Sequence, residues 1–107
     1  MNTASLRSPT VRRTVELINQ EKLDDFMALF ALDATLVDVL TYYGHQEIRE
    51  WAQRETFGTH LRFQVERETN AEGTIIEGEV RSVGGYNGPA RFTFTLGGEL
   101  IVQLMIT

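Results

Sequence analysis

The chain reads as an α+β domain: a strongly curved, mixed but mainly antiparallel sheet wrapped around three N-terminal helices. Three observations predict this. Apolar residues recur at helical spacing through the first half of the sequence. From Leu61 the period changes to two and stays there. The helical segments enclose a single early strand, and the later strands follow one another through short turns, so consecutive antiparallel pairing places the helices together on one face. With 107 residues and 42% hydrophobic content, the chain has material for one core, hence one domain over 1–107, with 1–8 expected to be a flexible N-terminus.

Ser8-Pro9 opens the first helix. The hydroxyl can cap free N–H groups, and Pro loses nothing at the first helical position, where its missing N–H would have no partner. Val11, Val15 and Ile18 fall at i, i+4 and i+7 with Thr14 and Leu17 beside them, a stripe for the core. A second short helix carries Leu23, Phe26, Met27 and Phe30. Ala34 to Leu40 is rich in β-branched residues and reads as a strand, followed by a turn from Leu40 to Gly44. A third helix opens at Gly44-His45-Gln46-Glu47 and runs to about Phe57, with Ile48, Trp51, Ala52 and Glu55 on its inward stripe and Gly58 as its C-cap. His60 to Glu68 sets Leu61, Phe63 and Val65 against Arg62, Gln64 and Glu66, the pattern of a half-buried strand. Thr74 to Val83 is the next strand. Ala90 to Leu96 follows with Ala90, Phe92, Phe94 and Leu96 facing the core, and Gly97-Gly98 makes a tight hairpin into Leu100 to Ile106. The sum is three helices and five strands.

Composition excludes several classes of function. The chain has no Cys, which removes disulfides, thiolate nucleophiles and cysteine-based metal sites together. No apolar run approaches the roughly 18 residues of a membrane span, and the first ten residues carry no secretion signal, so a soluble, cytoplasmic protein without a membrane partner is expected. The formal net charge of -5, with ten dispersed Lys and Arg residues, argues against a nucleic-acid partner. His45 and His60 are far apart with no acid at ligand spacing, so no metal and no cofactor is implied.

Asp38 is the residue that points to chemistry. Alternation places Leu36, Asp38 and Leu40 on one face of the strand and Thr35, Val37 and Val39 on the other, and neither face is polar. A carboxylate among leucines loses hydration, which disfavours its charged form and suits it to take and return a proton near neutral pH. The alternative is that Asp38 sits at a fraying strand end and caps the following turn.

The stretches Arg13 to Asn19, Asp25 to Asp38 and Gly44 to Arg49 resemble the nuclear transport factor 2-like superfamily, which includes ketosteroid isomerase, polyketide-cyclase-like proteins, scytalone dehydratase and limonene epoxide hydrolase. The resemblance covers nearly the whole chain and is strongest in LFALDATLVDVLTYYGHQEIREW. It implies a cone-shaped domain and is specific for fold rather than chemistry. Around the strand the likeness is to ketosteroid isomerase, in which the acid matching Asp38 shuttles the substrate proton. That enzyme also needs a phenol and a neutral carboxylic acid to hold the dienolate oxygen; those positions match Thr14 and Ala90. Thr14 offers one weaker donor and Ala90 none, and each missing donor costs on the order of 10²–10³ in rate, so true ketosteroid isomerase activity is not expected.

The remaining candidates follow from facing. Phe26, Phe30, Trp51, Phe63, Phe92 and Met105 could close an apolar pocket over Asp38, with Thr14 as a donor, although Trp51 and Met105 also serve as core packing. Tyr42 or Tyr43 could offer a phenol to a ligand carbonyl, or both could be loop residues. His60 falls on the polar face beside Arg62, and His45 is exposed at a helix start. Arg91 belongs on the outer sheet face, because a one-residue slip to bring it inward would expose Phe92 and Phe94 at about 1.5–3 kcal/mol each. The expected function is an isomerase, cyclase or dehydratase acting on a small hydrophobic carbonyl compound, with Asp38 as proton carrier. The alternative is a non-catalytic module that binds a lipophilic ligand or a partner. The outer sheet face is broad and polar, and the family resemblance implies a homodimer formed through it.

Overall fold

A computed structural model describes residues 1–107. Helix α1 spans Pro9–Asn19, and its N-terminus forms as the sequence requires: Ser8 is extended and its Oγ accepts from the Val11 N–H at 3.2 Å. Val11, Thr14, Val15, Leu17 and Ile18 are buried beneath it. Helix α2 is only Leu23–Ala28. Phe30 does not continue it; the residue opens strand β1, Phe30–Asp38, and still reaches the core, its ring centroid 5.1 Å from that of Phe26.

The turn expected between Leu40 and Gly44 is a strand. The chain reverses at Val39, which takes a left-handed φ of 64° and is 96% exposed, and returns as β2, Leu40–Tyr43. Asp38 pairs with Leu40 and Leu36 with Tyr42, so the two pairs share the inner face, but Leu40 at the hairpin tip is 65% exposed and covers nothing. The structure therefore has six strands, the remainder being β3 Arg62–Glu68, β4 Ile75–Arg81, β5 Gly88–Gly97 and β6 Leu100–Ile106.

The sheet order is β2-β1-β6-β5-β4-β3, with β1 and β6 parallel and every other pair antiparallel. Register shifts in the β1–β6, β3–β4 and β5–β6 pairs bend the sheet, since a bulge adds twist where it interrupts the ladder. Gly78 lies in the tightest part of that curve: a Cβ there would stand 2.0 Å from the Gln64 carbonyl oxygen. The concave face carries Leu36, Phe63, Val65, Ile76, Phe92 and Leu104, which join one core with the buried stripes of α1, α2 and the next helix. That helix, α3, is α-helical over Gly44–Ala52 and then widens into a π-turn over Gln53–Phe57.

One expectation, the exposure of His45, needs correction here, and Gly58 caps the helix as expected. Within residues 1–8, Leu6 is 2% exposed in the core, and Arg7 hydrogen-bonds to Glu68 and the Ala71 carbonyl. His45 is half-buried, with its Nε2 2.8 Å from the Phe30 carbonyl oxygen, tying the start of α3 to β1. Gly58 has an ordinary φ of -66°; it is required for closeness, because its N–H reaches the Gln53 carbonyl five residues back and a Cβ would be 2.2 Å from that oxygen. Arg91 lies on the outer face, where it and Arg67 flank Glu77.

Candidate active site

A cavity of about 300 Å³ opens between the concave face of the sheet and the helices, and eleven of its sixteen lining residues are hydrophobic. Its walls come from Ile18 on α1, Phe26 on α2, Trp51 on α3 and Val80, Phe92 and Leu104 on the sheet. Val39 at the β1–β2 reversal and Tyr86 in the β4–β5 connection stand at its edge, both exposed. A depression on the outer face, lined by Arg67, Glu77 and Arg91 among others, has only one hydrophobic residue and is a shallow, charged surface, whereas the interior cavity is more enclosed and mostly apolar.

Asp38 reaches this cavity because of its place in β1. Leu36, two residues earlier, is fully buried on the same face, and Ile106, the β6 partner of Asp38, lines the cavity beside it. The carboxylate is half-buried, and its Oδ2 accepts a hydrogen bond of 3.0 Å from the Trp51 indole N–H. Trp51 is itself 4% exposed, so the donor is fixed by packing. The side chain is thus engaged inward rather than on the backbone of the following turn. Oδ1 makes no hydrogen bond within the protein. No Lys, Arg or His lines the cavity.

The structure gathers four of the sequence candidates at the cavity, Asp38, Phe26, Trp51 and Phe92, and leaves six outside it. Thr14 is fully buried, and its hydroxyl donates at 2.8 Å to the Thr10 carbonyl, so helix packing consumes the donor. Phe30 and Phe63 stand behind the wall: Phe30 against Phe26, and Phe63 stacked on Phe92 at 4.4 Å between centroids. Tyr42 lies beside Trp51 at 6.5 Å, outside the cavity, with its phenol oxygen accepting from Arg54 at 3.2 Å and the Arg54 guanidinium 5.8 Å from its ring. Tyr43 is exposed on the outer face. Met105 pairs with Val37 and Thr93 on that outer face, because the β6 alternation that buries Leu104 turns its neighbour away. His60 is on the surface beside Glu21, whose carboxyl is held below its ordinary value by hydrogen bonds first from His60 and then from Arg62.

Of the other lining residues, Leu61 and Ala90 fall on faces that alternation turns to the core, while Pro89, Tyr86 and Thr56 lay beyond sequence reasoning. Ala90 faces the cavity without any donor. Leu61 and Pro89 sit where strands begin, and Tyr86 is placed by its connection, in which its phenol donates to the Pro89 carbonyl at 2.6 Å. Thr56 was hidden by the period. An α-helical continuation of Ile48, Trp51 and Ala52 points Glu55 inward; the π-turn adds a residue to that turn, exposes Glu55 and buries Thr56 to 3%. Glu55 is left at the rim beside Arg54.

No family model matches the sequence, and no curated protein matches it either. Solved structures do. The chain superposes on a candidate polyketide cyclase from Sinorhizobium meliloti with a TM-score of 0.82 at 18% identity, covering 100% of both chains. It superposes on a candidate ketosteroid isomerase from Kribbella flavida with a TM-score of 0.76 at 14% identity, covering 94% of this chain and 76% of that one. A Mycobacterium tuberculosis protein solved in complex with estradiol-17beta-hemisuccinate gives a TM-score of 0.75 at 14% identity, over 91% of this chain and 88% of that one. The chain has the cone-shaped α+β fold of these structures, the nuclear transport factor 2-like fold.

Proposed function

We propose that this protein is a small-molecule isomerase, cyclase or dehydratase acting on a hydrophobic carbonyl compound, with Asp38 as the proton carrier. The observation that carries the reading is the Trp51-held carboxylate on the wall of an apolar cavity that contains no basic residue. Oδ1 of Asp38 takes a proton from the carbon next to the carbonyl, the electron pair moves toward the carbonyl oxygen, and the same carboxyl returns the proton to that carbon or, where a conjugated double bond carries the electrons onward, to the far end of that bond. A volume of about 300 Å³ corresponds to about ten waters, or to a ligand of roughly ten to fifteen non-hydrogen atoms at interior packing density. That suits a one- or two-ring compound better than a whole steroid. With Thr14 committed to Thr10 and Ala90 donorless, ketosteroid isomerisation is not the proposed reaction. The ligand complex of the Mycobacterium tuberculosis protein supports a hydrophobic ligand in a fold of this shape. We also place a homodimer interface on the outer sheet face.

The test is deuterium exchange. Incubated in heavy water with a two-ring ketone such as 2-tetralone, the protein is expected to speed exchange of the proton next to the carbonyl, and Asp38→Asn to lose at least about 10²-fold of that acceleration. Equal exchange by the two proteins would exclude Asp38 as the carrier. Ligand binding that persists without any exchange in the wild type would favour a binding module instead.

A further inference from the structure

Thr56 makes no hydrogen bond through its hydroxyl, which sets it apart from its neighbours. Threonine on helical backbone commonly satisfies itself on the carbonyl four residues back, and Thr14 and Thr59 do so, onto Thr10 at 2.8 Å and Glu55 at 2.9 Å. The Thr56 carbonyl accepts from the Leu61 N–H and from the Thr59 hydroxyl, while its own hydroxyl has no partner in the protein. Every sealed side-chain oxygen or nitrogen in the molecule is hydrogen-bonded. Thr56 is 3% exposed and lines the cavity, so its unbonded hydroxyl opens onto the cavity. Leaving such a group bare in a protein interior is unfavourable unless something else meets it.

The local backbone is built to place it there. A π-turn is a rare departure from the α-helix, and this one depends on Gly58, whose Cβ would otherwise collide with the Gln53 carbonyl. Its effect is to bury Thr56 at the cavity wall and leave Glu55 at the exposed rim. Trp51, which holds Asp38, belongs to the same helical segment, so the hydroxyl and the carboxylate are positioned by one rigid element.

We propose that Thr56 is the ligand-orienting hydroxyl of the cavity, donating to the carbonyl oxygen of a small ketone whose adjacent carbon lies against Asp38. This rests on the reading of Asp38 given above and narrows the substrate class. One neutral hydroxyl stabilises an oxyanion less than a phenol and an acid acting together. Much of the carbon acidity must then come from the substrate, which points to a ketone activated by an adjoining aryl ring or a second carbonyl.

Trp51 is the only tryptophan and lines the cavity, so its fluorescence reports occupancy. Wild type, Thr56→Val and Thr56→Ser are titrated with 2-tetralone and with tetralin, which lacks the carbonyl. The Val variant is expected to bind 2-tetralone about three- to tenfold more weakly, the Ser variant to match the wild type, and tetralin binding to stay unchanged in all three. Should Thr56→Val not fold, Thr56→Ala carries the same comparison. Unchanged 2-tetralone affinity in the Val variant, or an equal loss for both compounds, overturns the assignment of Thr56. Loss of exchange in Asp38→Asn would in that case leave the proton carrier standing. A wild type that binds neither compound overturns both readings.

Discussion

The Trp51–Asp38 hydrogen bond turns an otherwise awkward acid into a positioned one. Burial alone disfavours a carboxylate, whereas a fixed indole donor supplies part of the hydration that the charge gives up, and it orients one oxygen while freeing the other. Trp51→Phe keeps most of the ring volume but removes two ring carbons together with the N–H from a buried position. It is expected to lower stability by about 2–3 kcal/mol at neutral pH, about 1.5 of it from the hydrogen bond, the low end for a charged acceptor because Asp38 is half-exposed, and the rest from the space the smaller ring leaves. A denaturant titration checks this, and a variant as stable as the wild type would mean that solvent replaces the indole at no cost. The sequence showed Asp38 as an acid in an apolar strand, but not its donor. Thirteen residues separate the two, and only the sheet curvature and the α3 packing bring them together.

At the scale of elements, β3, β4 and β5 are joined on their outer face by a row of charges as well as by the ladder. Glu77 receives hydrogen bonds from Arg91 at 2.8 Å and Arg67 at 2.8 Å, which hold its carboxyl below the ordinary value, Arg91 having the larger effect. A folded-state value below the unfolded one contributes stability that is present above the ordinary glutamate range and is lost as pH falls through the folded value. Glu77→Gln is therefore expected to melt at a lower temperature than the wild type at neutral pH, with the gap closing in acid below that range and narrowing in concentrated salt. Melting curves across pH check this; a gap that widens in acid would show that the carboxylate is not what Gln removes. Arg91 was placed correctly by alternation because its neighbours Phe92 and Ala90 demand the core. Elements whose shape depends on an extra or missing residue were less legible. The π-turn that buries Thr56 instead of Glu55 leaves no mark on hydrophobic periodicity, and the one-residue reversal at Val39 looks like the continuation of a β-branched strand.

For the whole molecule, the helices cover the concave face of the sheet and nothing in the chain covers the convex one. Val37, Met105, Thr93 and Gln103 meet there across the central strands, half-buried by one another, with Tyr43 and Val102 more open around them. The switch of period at Leu61 foretold the two faces of the sheet, and Met105 was misassigned because a bulge at Val102 shifts the β6 alternation relative to β5. The homodimer proposed above would use this broad face, with Met105 near its centre and the paired charges toward one edge. Sedimentation velocity at micromolar concentration is expected to give about twice the 12.2 kDa of one chain. Met105→Glu puts an unpaired charge into the middle of the patch without touching the core, so it should yield folded monomers whose cavity still quenches or shifts Trp51 fluorescence on binding 2-tetralone. A wild type that sediments as a single chain, or a Met105→Glu protein that remains dimeric, would show that the pairing of copies does not use this face.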